Sequence, residues 1–168
     1  MLNNLITSKT RLRLLVKFFV NIANMGYLNG LASEFGESTN SVRKELNNLS
    51  SAGYLNKNSV NNKIIYRANT SHPLFKIIQK IIHKHLGIED IIEIVYNNIG
   101  DVRKVILLGD YAIGIDSGLI EVLIVGDNIN KKYLDQISPK IEKKINRKVN
   151  FFVSNKILKQ PCLVVFEA

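Results

Sequence analysis

Apolar residues recur with helical spacing along the first third of the chain. Over residues 9–23, KTRLRLLVKFFVNIA, Leu12, Leu15, Val16, Phe19 and Ile22 fall on one side, with Arg11 and Lys17 elsewhere, which predicts a first helix. In Tyr27–Tyr54, YLNGLASEFGESTNSVRKELNNLSSAGY, Leu28, Leu31, Ala32 and Phe35 follow the i, i+3, i+4, i+7 rule. Gly36 is placed to end that helix, and Ser38 to cap the next one. In the next helix Val42, Leu46 and Leu49 form an inner face, and Gly53 closes it. Its other face carries Thr39, Asn40, Arg43, Lys44 and Asn47. An apolar inner face under a basic, amide-bearing outer one suits a helix lying in the major groove of DNA.

The pattern then changes. YLNKNS and KIIYRAN read as two strands around an amide-rich tip at Asn58–Asn62, where a turn or an excursion along the DNA backbone or minor groove is expected. Asn69-Thr70-Ser71-His72-Pro73 is a break, because proline disfavours helix just before it and suits a first helical turn after it. Residues 73–86, PLFKIIQKIIHKHL, predict an amphipathic helix with Ile77, Ile78, Ile81, Ile82 and Leu86 turned inward or toward a partner. A second helix over 88–100 ends at Gly100. From Val102 the chain alternates strands with helix: KVILLGD (104–110), LIEVLIVGD (119–127), a helix over 130–147, KVNFFV (148–153), and CLVVF (162–166) after a short connection. Strands apolar on both faces argue for a covered α/β sheet.

Composition narrows the field. The 168 residues suffice for one large or two small domains, and 46% of them are hydrophobic. No apolar run has the length of a membrane span, and MLNNLITSKTRLRLLVKFF is too broken by charge for a signal peptide, so a cytoplasmic protein with no membrane partner is expected. The single cysteine, Cys162, lies in an apolar run and is expected to be a buried small hydrophobe. His83 and His85 do not converge on one helix face and have no ligand-spaced Cys or carboxylate, so no metal site is expected.

The net charge of +9 is uneven. Residues 1–70 hold nine Lys/Arg against three Glu, whereas residues 71–168 hold fourteen basic and eleven acidic residues. The excess therefore falls on the first 70 residues, which hold the three predicted helices and the two strands after them, and this suits phosphate contact. An A·T-rich genome would also enrich Lys, Asn and Ile, so charge alone decides nothing.

Three helices followed by a β-hairpin make a winged helix-turn-helix. On LASEFGESTNSVRKELNNLSSAGYL and the wing after it, residues 8–69 resemble the winged-helix transcriptional regulators of the ArsR/MarR type. The second half, with GDYAIGIDSG between two strands, resembles the minimal nucleotidyltransferase fold. Members of that family carry Gly-Ser after the first strand, Asp-x-Asp at the start of the next and a third carboxylate on a later strand, which together hold two divalent cations. Here Gly109 matches the glycine but Asp110 replaces the serine, Leu119 and Glu121 stand at the Asp pair, and Asn150 stands at the third position. The resemblance implies a degenerate domain without that catalysis. A different site, a lone Mg²⁺ or a nucleotide near Asp110, Asp116, Glu121 and Asp127, remains open, as does a ligand in the loop Gly109–Gly118.

The expected architecture is α+β. A winged helix-turn-helix DNA-binding domain occupies 1–70, linking helices 71–100, and a small α/β nucleotidyltransferase-like domain with a mixed sheet 101–168. Joined by the YRAN-x-x-HPLF junction (Tyr66–Phe75), the whole resembles a two-part transcriptional regulator. The resemblance implies double-stranded DNA as partner, a homodimer, no cofactor and no catalytic residue, with room for a small-molecule or protein effector at the C-terminal domain. Thr39, Asn40, Ser41, Arg43, Lys44 and Asn47 would face the groove, and Lys57, Asn61, Asn62, Lys63 and Arg67 would follow the backbone from a wing at 54–68. The competing readings are a nucleotidyltransferase-type enzyme or nucleotide sensor using the C-terminal domain, and a protein–protein interaction module.

Overall fold

A computed structural model describes residues 2–154 and 161–168 and divides into two compact units, 1–82 and 83–168. The short connection expected before the last strand falls largely at 155–160, outside the described residues.

In the first unit, α1 (Lys9–Val20) starts where the Ser8 side chain accepts from the Arg11 amide at 3.1 Å. It stops before the expected residue 23, because Asn21 is extended. Ile22 therefore lies beyond the helix and is exposed, while Leu14 and Phe18 are fully buried beside Leu15, Val16 and Phe19. Lys17 is buried too, with its ammonium 2.8 Å from Glu34. The helix is packed on more sides than one apolar stripe suggests, and its lysine is kept inside by an ion pair.

β1 (Met25–Tyr27) follows, an element that the sequence pattern did not predict. α2 (Leu28–Phe35) ends at Gly36, whose φ of 62° is left-handed and costs glycine little. α3 (Thr39–Ser51) starts at Ser38, which accepts from the Ser41 amide at 3.2 Å. β2 (Leu55–Val60) and β3 (Lys63–Ala68) form a hairpin, and the antiparallel sheet has the order β1-β3-β2. Three helices carrying such a sheet are the winged helix-turn-helix topology.

The hairpin tip is shorter than expected. Asn58, Ser59 and Val60 pair with Ile65, Ile64 and Lys63, leaving a turn of Asn61 and Asn62 with φ of 48° and 61°. Positive φ at both central residues is what a type I′ turn demands, and Asn tolerates it better than most residues. Replacing both asparagines with alanine is expected to destabilise the hairpin by about 1–2 kcal/mol per residue, whereas Gly at both leaves it intact. Thermal unfolding of the two double variants measures the difference.

α4 (Phe75–Leu86) begins two residues after Pro73 and carries the chain into the second unit. Ile82 and Leu86 are buried as expected, but Ile77 and Ile81 are 56% and 43% exposed. The sharp passage to α5 (Ile88–Asn98) runs through Gly87, where a Cβ would lie 2.5 Å from Ile145. Asp90 of α5 sits between Lys84 at 2.9 Å and Lys144 at 2.7 Å. Burial raises its pKa, but hydrogen bonds from Lys144 and Lys84 outweigh this and leave it below the usual value.

The rest of this unit is β4 (Asp101–Leu108), α6 (Gly109–Ala112), β5 (Leu119–Asp127), α7 (Lys131–Ile145), β6 (Lys148–Val153) and β7 (Cys162–Glu167). The sheet order is β6-β5-β4-β7, with β5–β6 parallel and the other pairs antiparallel, so the sheet is mixed. Val105 and Leu107 are buried on one face of β4, and Ile106 and Leu108 on the other, which explains the continuous apolar run. Cys162 departs from expectation: it is exposed, because it opens β7 at the margin of the sheet rather than in its middle. Among the described residues no helix is long and apolar enough to cross a membrane.

Candidate nucleic-acid interface

The helical repeat and the buried Val42, Leu46 and Leu49 orient α3. Asn40, Arg43, Lys44 and Asn47 stand at i, i+3, i+4 and i+7 on the opposite side, all exposed. Thr39, one helical turn before Arg43, is exposed beside them. Ser41 is exposed at the margin of this face, where its hydroxyl lies 3.0 Å from that of Ser38, so it is tied to the helix cap. Arg43 Nη1 donates to Asn40 Oδ1 at 3.1 Å, which presents a guanidinium and an amide together. Among the described residues Lys44 has no ion-pair partner within 4.0 Å.

The electrostatics of this face depend on α1. The three acids of residues 1–70 are Glu34, Glu37 and Glu45, and each is held by a basic residue of α1. Lys17 meets Glu34 at 2.8 Å, Arg13 meets Glu37 at 2.5 Å, and Arg11 meets Glu45 at 2.8 Å. Glu45 is the one acid of α3, and it is turned inward, where Ser8 also donates to it at 2.8 Å. Burial pushes its pKa up, but hydrogen bonds from Arg11 and Ser8 hold it below the usual glutamate value. The basic residues left over are Lys9, Arg43, Lys44, Lys57, Lys63 and Arg67. All but Lys9 belong to α3 and the wing. The ion pairs span 17 to 34 residues in sequence, and the local pattern did not reveal them.

Lys57, Asn61, Asn62, Lys63 and Arg67 are all exposed on the wing, but the register divides them. Lys57 lies opposite Tyr66, on the sheet face that carries that buried ring. Lys63 and Arg67 lie on the other face with Ile65. There they are seated on the unpredicted strand: the Lys63 ammonium is 4.6 Å from the centre of the Tyr27 ring, and Arg67 Nη2 is 3.7 Å from Met25 Sδ. Tyr27 and Met25 are positioning residues that helical periodicity could not single out, since they act only through pairing with β3.

The second unit holds the other candidate site. Leu119 lies opposite Lys148, and Glu121 lies between Leu108 and Asn150 across the strands. Glu121 also lies over Gly109, where a Cβ would come within 2.7 Å of its Oε2. Lys148 is paired with Glu142 at 3.0 Å. Among the described residues no three His, Cys, Asp or Glu side chains are grouped to hold a metal ion.

The loop Gly109–Gly118 is tied inward rather than left open. Arg147 grips Asp116 through two bonds of 2.9 and 2.6 Å, and the Tyr111 hydroxyl donates to the same carboxylate. Burial and that bond push the Tyr111 pKa far up. Asp116 feels opposing effects. Burial raises its pKa, and the bonds from Arg147 and Tyr111 lower it more. His85 lies in this neighbourhood with Nδ1 buried and unpartnered, and burial followed by the Arg147 charge lowers its pKa.

By its own geometry the chain is a winged helix-turn-helix unit followed by a mixed α/β unit. No family model matches the sequence, and no curated protein does. Two solved structures are similar to part of it. Reduced HlyU from Vibrio cholerae is 18% identical, covers 49% of this chain and 82% of its own, and gives a TM-score of 0.40. The antimony-specific transcriptional repressor AntR is 17% identical, covers 52% and 70%, and gives 0.38. Likeness of that size carries no functional argument.

Proposed function

We propose that the chain is a DNA-binding transcriptional regulator that reads the major groove with α3 and follows the backbone with the wing. One observation carries this reading. The acids of the first 70 residues are occupied by α1, which leaves exposed cations and amides on the outward face of α3 and on the two faces of the wing. Arg43 is suited to a guanine edge and Asn40 or Asn47 to an adenine edge. Lys44, Lys57, Lys63 and Arg67 are suited to phosphates, with Thr39, Ser41, Asn61 and Asn62 as neutral contacts. The regulator would act as a dimer, and the exposed Ile77 and Ile81 of α4 supply apolar surface for a second copy. Paired recognition helices would then stand about 34–36 Å apart to meet successive major grooves.

For the second unit we favour a non-catalytic, nucleotidyltransferase-like scaffold that could also take an effector. The strand order and the parallel β5–β6 pair support the outline. Leu119 beside Lys148 and Glu121 beside Asn150 argue against a two-cation site, which needs several oxygen ligands. Mg²⁺-dependent label transfer from a nucleoside triphosphate, lost in Glu121→Gln, would contradict this reading. The DNA reading is tested by selection from a random duplex pool, with the full chain as bait. Enrichment of a defined sequence is expected; a pool that stays random after repeated rounds ends the proposal.

A further inference from the structure

We infer that α7 of the second unit is a further nucleic-acid contact, one that lies against the phosphate backbone of duplex DNA without reading its sequence. The helix buries Leu134, Ile141 and Ile145 on one side. At about 100° per residue, Lys132, Gln136 and Lys143 fall opposite those three, with Lys140 beside them. All four are exposed. A rise of about 1.5 Å per residue spreads the three lysines over roughly 16 Å, a length along which one DNA strand carries about five phosphates.

The nearby acids do not neutralise this ridge. Glu142 accepts from the Val149 amide and from Lys148, each at 3.0 Å. Asp90 takes Lys144 at 2.7 Å. Asp135 is three residues from Lys132, yet no ion pair joins them: among the described residues Lys132, Lys140 and Lys143 have no ion-pair partner within 4.0 Å. The positive charge of the unit is also gathered here. Residues 131–148 hold seven Lys/Arg and two acids, whereas the rest of 83–168 holds five and nine. A unit that is almost neutral overall thus presents one strongly cationic helix.

The side chains choose the partner. Among the exposed residues of α7 there is no aromatic, so unpaired bases have nothing to stack on. Nor is there an exposed Leu, Ile, Val or Met to anchor a protein interface or to seat the helix in a lipid surface. Flexible lysines around one amide suit phosphates, and they carry no base-edge readout. This contact does not rest on α3 as the reader, and it is measured apart from it.

The test is fluorescence anisotropy of the full chain with a duplex of arbitrary sequence over a salt series. Lys132→Gln, Lys140→Gln and Lys143→Gln together should make the dependence of log K on log salt shallower by about 0.9 for each lysine, per protomer bound. The same change is expected when the three are added to Arg43→Ala and Lys44→Ala, so failure of the α3 reading leaves this result legible. A second measurement keeps all three lysines: with benzoylphenylalanine in place of Gln136, illumination should cross-link α7 to the duplex. A slope equal to that of the parent would overturn the inference. So would cross-links that form to a second copy of the chain and not to DNA, or no cross-link at all.

Discussion

Arg43→Ala is expected to lower affinity for the selected duplex by about 1–3 kcal/mol and to relax sequence preference at one base pair, without unfolding the protein. The side chain is exposed, and its recorded hydrogen bond is to Asn40 on the same helix surface, so truncation removes a groove contact and little packing. Lys44→Ala should behave differently. It should weaken binding to all duplexes alike and make the dependence of log K on log salt shallower by about one unit for each protomer bound. Fluorescence anisotropy over a salt series separates the two effects, and circular dichroism checks that both variants are folded. If both bind like the parent, α3 does not read DNA through this face.

Arg147→Met is expected to destabilise the second unit by about 2 kcal/mol. Breaking a fully buried ion pair costs roughly 3–5 kcal/mol. Here the Asp116 side chain is 31% exposed and can recover some hydration, which brings the figure down. The guanidinium also donates to the carbonyls of His85 and Ile145, at 3.2 and 3.1 Å, so its loss frees backbone acceptors as well.

The pH dependence follows from the same contacts. The folded pKa of Asp116 lies below its unfolded value, so its stabilisation is present above the unfolded pKa, near 3.8, and is lost as pH falls through the folded one. Thermal melts from neutral pH down through that window should show the loss in the parent and a smaller loss in Arg147→Met. A variant as stable as the parent would mean that the loop Gly109–Gly118 is held by something other than this pair.

What could be read in advance was what short-range chemistry fixes. Gly36 and Ser38 bound α2 and α3 because caps act within one turn, and β5 runs from Leu119 to Asp127 as its apolar pattern implied. The outward set of α3 was legible for the same reason: helical periodicity puts Asn40, Arg43, Lys44 and Asn47 opposite Val42, Leu46 and Leu49.

The missed features depend on partners distant in sequence. β1 is three residues that become a strand by pairing with β3 across some forty residues of chain. Lys17 enters the core because Glu34 meets it there. Asn58 looked like a turn residue, yet it is a strand residue because Ile65 lies opposite. Cys162 shares an apolar run with core residues but opens a strand at the margin of the sheet. The division of the wing cations between two sheet faces likewise requires the register, which composition does not contain.

The central claim is that the outward face of α3, made cationic by the burial of Glu45 against Arg11, is where this protein meets its partner. Titration of the isotope-labelled chain with the selected duplex, followed by amide correlation spectra, tests it most directly. The prediction is that shifts concentrate on Thr39, Asn40, Arg43, Lys44 and Asn47 and on Lys63 and Arg67 of the wing. Shifts confined to α4 or to the sheet of the second unit, with α3 silent, would contradict it.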